Sequence, residues 1–94
     1  MKMANNLFVT YDLIKTKDYE AVYKAIKSLG NWAKVTESNW YVNSAYTTEQ
    51  AARIVRAAMD NDDKLIVVDA KNNSFHCYNI LPEVVKFMQN HWYI

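Results

Sequence analysis

One glycine (Gly30), one proline (Pro82) and one cysteine (Cys77) are all that 94 residues contain of these three types. With a single glycine the chain has no glycine-rich loop to cradle a phosphate. With a single cysteine it has no internal disulfide, and one thiol fits a reducing compartment. Charge of one sign is also missing. The formal net charge is +1, so any phosphate binding has to come from a local patch rather than from the whole surface. No run of about 18 apolar residues occurs, and the N-terminal stretch lacks the apolar core and small-residue cleavage site of a leader. The expectation is a cytoplasmic protein without a membrane span.

Apolar and aromatic residues are abundant. The chain is 51% hydrophobic, with seven Tyr, three Trp and three Phe, enough to fill one modest core and to mark a contact surface. Its length suits one domain, residues 1–94. Asn6 to Ile14 alternates as a strand. Asp18 is placed to cap a helix that carries Tyr19, Val22, Tyr23, Ile26 and Leu29 at helical spacing, with Gly30 predicted to end it in the left-handed conformation. "WAKVTESNWYVNS" reads as a hairpin of Trp32–Thr36 and Trp40–Ser44. Thr47 and Gln50 form a capping-box pattern ahead of the stripe Ala51, Ala52, Ile54, Val55, Ala58 and Met59. "LIVVDA" is a strand apolar on both faces, "KNNS" a turn and "FHCYNI" a fifth strand. Pro82 opens a last helix with Val84, Val85 and Met88.

This order predicts an α+β, ferredoxin-like βαββαβ unit with an extra C-terminal strand and a short helix. Both main helices should cover one face of an antiparallel sheet. The fourth strand is too apolar for a bare edge, and the fifth should cover it, from the same chain or from a partner. Trp40 and Val42 suit the helix side, as do Leu7, Val9 and Tyr11. Phe8, Thr10 and Asp12 then fall on the open face with Tyr41, and Trp32, Lys34 and Thr36 are expected to join them as a candidate binding surface.

Little else suggests chemistry. His76 and Cys77 are adjacent on a strand and point to opposite faces, and His91 has no partner in view. Asp60, Asp62 and Asp63 lack the glycine and closing glutamate of a calcium loop and read as a solvated helix end. Asp12 has two readings, a turn residue where a strand stops or a magnesium ligand. Asp69 should lie at the opposite end of the sheet and cannot complete a site with it.

"LFVTYDL", with "TESNWYV" at the third strand, resembles the CRISPR-associated protein two family. The pattern "YDL…Y…AI.SLG.WA…ES.WYV" is closer to the SinR-like proteins related to that family. The likeness runs from Leu7 to about Asp69. It implies a homodimer formed sheet to sheet, with Asp12 of each copy meeting at the two-fold axis as a candidate catalytic residue and magnesium ligand, and Ser38 as a polar neighbour. It also implies a scaffold that grips nucleic acid. The chain departs from the pattern in not being basic and in having Lys15 and Lys17 where many relatives have arginines. Both departures weigh against nuclease activity.

The expected function is therefore a homodimeric scaffold or interaction protein in nucleic-acid or defence biology, with weak or no metal-dependent nuclease activity. No cofactor is expected other than magnesium at a dimer interface. Two alternatives remain: a single-stranded RNA-binding module that stacks bases on Phe8 and Tyr41, and a phage-type inhibitor that binds a host protein.

Overall fold

The computed structural model describes residues 4–14 and 19–92; Lys15, Lys17 and the expected cap Asp18 lie outside them. The elements are β1 (Asn5–Asp12), α1 (Tyr19–Lys27), β2 (Gly30–Thr36), β3 (Asn39–Ser44), α2 (Thr48–Arg56), β4 (Lys64–Asp69), β5 (Ser74–Tyr78) and α3 (Pro82–His91). The strands form one sheet in the order β2-β3-β1-β4-β5, and every neighbouring pair is antiparallel. The protein is thus a small α+β domain with a five-stranded sheet and three helices. β5 comes from the same chain and pairs with β4, which removes the bare apolar edge.

Alternation along β1 and β3 sets the two faces. Leu7, Val9, Trp40 and Val42 are buried beneath α1 and α2, where they meet Val22, Ile26, Ala51, Ala52 and Val55. The small Ala51 and Ala52 let α2 approach the sheet closely. Both halves of the capping box form: Gln50 N–H donates to Thr47 Oγ1 at 3.2 Å and Thr47 N–H donates to Gln50 Oε1 at 3.0 Å.

Three expectations are corrected. Gly30 is not a left-handed helix cap. It is the first residue of β2, and a Cβ there would lie 2.1 Å from the Asn43 carbonyl oxygen, so close backbone approach is what requires glycine. The left-handed positions belong to Asn73 and Asn79, as asparagine tolerates them best after glycine.

The second correction concerns Trp32 and Lys34, which lie on the helix side and not on the open face. Thr36 pairs with Asn39, and simple alternation back from the turn would place Lys34 and Trp32 beside it. A register shift between Lys34 and Thr36 inserts a residue, so Lys34 pairs with Trp40 and Trp32 with Val42. One extra residue turns the rest of the strand over.

The third concerns Asp63, which is fully buried rather than solvated. Its Oδ1 accepts from Ile14 N–H at 2.9 Å and its Oδ2 from Asp60 N–H at 2.8 Å, so it ties the exit of β1 to the turn before β4.

Candidate interaction face and the end of β1

The face away from α1 and α2 is built by five strands. β1 contributes Phe8, Thr10 and Asp12, β3 contributes Asn39, Tyr41 and Asn43, and the strands beyond them add Ile66, Val68, Phe75 and Cys77 by register. Phe8 and Tyr41 are direct cross-strand partners, with ring centroids 5.4 Å apart and planes tilted by 52°. The Tyr41 hydroxyl donates to Asn6 Oδ1 at 2.7 Å, and the Thr10 hydroxyl donates to Asn39 Oδ1 at 2.9 Å. These bonds pair four of the polar side chains within the face and leave its middle aromatic and aliphatic. Among the described residues the only strand cation here is Lys64, and it stands opposite Asp12 in the β1–β4 register. The expected grouping of Phe8, Thr10, Asp12 and Tyr41 is therefore present.

Cys77 belongs to this face and is half-buried, and burial pushes its thiol up from the ordinary range. His76 points the other way, edge-on to Tyr78, so the two form no pair. His91 Nδ1 is 2.9 Å from the Phe87 carbonyl oxygen and its ring stacks on Phe87.

Beyond α3, Trp92 reaches the start of β5, where Trp92 Nε1 donates to the Asn73 carbonyl at 2.9 Å and the indole packs 4.6 Å from Phe75. Every α3 side chain keeps some exposure, and Leu81, Val84 and Phe87 are 52%, 41% and 63% exposed. The sequence reading missed this ridge, because an apolar stripe in a helix ordinarily signals burial.

At the end of β1, Asp12 and Ser38 line one cavity of about 320 Å³ together with Tyr11, Tyr19, Tyr23 and Glu37. Tyr11 N–H donates to the Ser38 carbonyl at 3.1 Å. Asp69, opposite Leu7, is at the far end of the strand pair, as expected. It is buried, and its carboxylate accepts from Lys71 N–H and Asn72 Nδ2 at 2.9 and 2.5 Å. Asp60, Asp62 and Asp63 bring carboxylate oxygens within 4.8 Å of one another, but both oxygens of Asp63 already hold backbone amides. A larger cleft of about 680 Å³ near Asn31, Asn43 and Tyr46 lies away from Asp12.

The helix side carries an aromatic chain that the alternation argument did not anticipate. Trp32, Trp40, Tyr23 and Tyr19 follow one another at 5.4, 5.4 and 6.0 Å. Lys27 Nζ sits 4.7 Å over Trp32, and Lys34 Nζ sits 4.9 Å over Tyr23. The i, i+4 spacing of Tyr19 and Tyr23 was the available signal.

No family model, curated protein or solved structure matches the chain. Among the described residues no helix is long and apolar enough to cross a membrane.

Proposed function

We propose that this chain is a ferredoxin-like interaction protein that pairs with a second copy of itself through its open sheet face, as a scaffold rather than a nuclease. The order β4-β1-β3-β2, read along the sheet without β5, is the one a split βαβ arrangement requires and supports the ferredoxin-like reading. Together with Asp12 at the end of β1, it also supports kinship with the SinR-like and CRISPR-associated protein two group.

The observation that carries the proposal is the composition of the open face. Its centre is Phe8, Tyr41, Ile66 and Val68, and its strand charges among the described residues are Asp12 and Lys64, one of each sign. A phosphate backbone is held by several lysines or arginines, which these strands do not present. A neutral apolar face does not repel its own copy, and a two-fold axis makes it self-complementary. Five strands at about 4.8 Å spacing give a plan of roughly 24 by 20 Å. A standard interface buries ~800 Å² per partner, and side-chain relief adds to the flat plan of the strands.

Equilibrium sedimentation tests this. The expected mass is twice 11.0 kDa at micromolar concentration, and Phe8→Asp should return it to one chain with the fold retained. A wild-type monomer at high micromolar concentration overturns the proposal. The pairing of Phe8 with Tyr41 on the two central strands favours one second reading, base stacking by single-stranded RNA. A monomer that binds oligonucleotides, and loses them in Tyr41→Ala, would establish that reading instead.

In a two-fold dimer the two Asp12 carboxylates could share a magnesium ion. Asp12→Asn is nevertheless expected to leave any trace nuclease activity unchanged, because the face offers no basic groove for a phosphodiester. Magnesium-dependent cutting that disappears in Asp12→Asn would refute the scaffold assignment.

A further inference from the structure

We infer that the cleft where β2 begins and β3 ends binds a neutral sugar. Its volume is about 680 Å³, within the roughly 300–1,000 Å³ of ordinary ligand sites. Among the described residues that line it there is no lysine, arginine, aspartate or glutamate. Asn31, Asn43, Gln50, Ser28 and Tyr46 line it instead. A cation would need carboxylates there. An anion would need basic side chains or open helix amides, and the capping box already holds the Gln50 N–H on Thr47 Oγ1. Neutral donors and acceptors beside one phenol ring suit a molecule that carries hydroxyls around a ring of C–H groups.

The polar groups are available. Asn31 and Asn43 are direct cross-strand partners, which sets their Cβ atoms about 5 Å apart. Among the described residues no hydrogen bond engages either carboxamide. Each offers a donor and an acceptor, the pair that a hydroxyl needs. Gln50 Oε1 accepts from Thr47 N–H at 3.0 Å, which leaves Nε2 as a donor. Ser28 Oγ donates to the Ala25 carbonyl at 2.6 Å and keeps lone pairs to accept. Tyr46 is 39% exposed, and no other described ring packs on it. Its backbone is held on both sides: the N–H donates to Ser44 Oγ at 3.1 Å, and the carbonyl accepts from Asn5 Nδ2 at 2.8 Å. The negative face of such a ring attracts the C–H groups of a pyranose. Gly30 lines the cleft without a side chain, and its approach to the Asn43 carbonyl keeps β2 close to β3 there.

The test is amide NMR of the full chain, titrated with the methyl glycosides of glucose, galactose, mannose and N-acetylglucosamine and with maltose. Cyclohexanol is the apolar control, glucuronate the charged one, and uridine and adenosine the nucleosides. Saturable shifts are expected at Asn31, Asn43, Tyr46 and Gln50 with at least one neutral sugar. Asn31→Ala removes an exposed side chain that no described residue engages. It should weaken binding about three- to tenfold, the worth of one neutral hydrogen bond, and leave the melting temperature unchanged. Tyr46→Leu should weaken binding as well, and Tyr46→Phe, which keeps the ring, should not. No saturable shift with any neutral sugar, shifts confined to residues 1–3, an equal response to cyclohexanol, tighter binding of glucuronate or a nucleoside, or an unchanged affinity in Asn31→Ala would each overturn the inference. The cleft does not include Phe8 or Tyr41, and sedimentation is read separately, so the site and the dimer can fail independently.

Discussion

Trp40 and Tyr11 are joined by a hydrogen bond inside the core: the indole Nε1 donates to the Tyr11 oxygen at 3.2 Å, and the same phenol donates to the Glu37 carbonyl at 3.1 Å. One hydroxyl therefore satisfies a 2%-exposed tryptophan and pins a turn. Tyr11→Phe leaves the indole N–H without its acceptor and should cost about 1–3 kcal/mol. Trp40→Ala opens a cavity at the centre of the sheet and should cost about 3–5 kcal/mol. Urea unfolding measures both. Losses below about 1 kcal/mol in each would place the stability elsewhere.

The same phenol predicts an alkaline limit. Burial raises Tyr11 above its ordinary value, against a smaller opposing effect of the Trp40 hydrogen bond. A group with a raised folded-state pKa contributes its full stability below the unfolded value, about 10 for tyrosine. That contribution is lost as pH rises from there through the folded value. Stability should fall above about pH 10, and the fall should be shallower in Tyr11→Phe. Parallel curves for parent and variant, followed by circular dichroism, would remove Tyr11 from the cause.

Gly30→Ala drives a methyl group into the Asn43 carbonyl, which is backbone and cannot rotate aside. The β2–β3 pairing should loosen at a cost of about 1–3 kcal/mol. A melting temperature unchanged within a degree or two would mean that the strands separate there without penalty.

Trp32 separates folding from association. It packs tilted against Trp40 on the helix side, 46% exposed. Trp32→Ala should lower stability by about 1–2 kcal/mol and leave the sedimentation mass of the wild type unaltered. A selective loss of self-association would show that the pairing surface wraps around the β2 edge.

Asp63→Asn replaces one of two acceptors with an amide donor aimed at a backbone N–H. The loss should be about 1–3 kcal/mol, seen as a lower urea midpoint with an unchanged slope. An unchanged midpoint would show that the turn before β4 does not depend on this carboxylate.

The strand and helix order was legible because period and punctuation agreed: Leu7, Val9 and Tyr11 alternate against Phe8, Thr10 and Asp12, and Thr47 with Gln50 announces α2. What was not legible depended on contacts distant in sequence. Nothing local marks the extra residue between Lys34 and Thr36, so the facing of Trp32 was read one step out. "NDDK" looks like any solvated turn until Ile14 arrives from 49 residues away to bond Asp63. Gly30 follows a helix, the commonest place for a capping glycine, yet its reason lies across the strand at Asn43. The site at Asp12 was half legible. The aspartate was found, but the tyrosines around it come from a helix and from the opposite side of the same strand.

The irregularity in β2 bears on growth by strand addition. A straight outer strand would offer a regular row of amides and carbonyls to any incoming copy, and copies adding edge to edge never run out of edges. Between Lys34 and Thr36 that row loses its rhythm, and the lysine brings a charge. The proposed association by the open face would consume the surface it uses and stop at two. A chain that kept its aromatic face but straightened β2, by deleting Val35, would have an unguarded route to fibres.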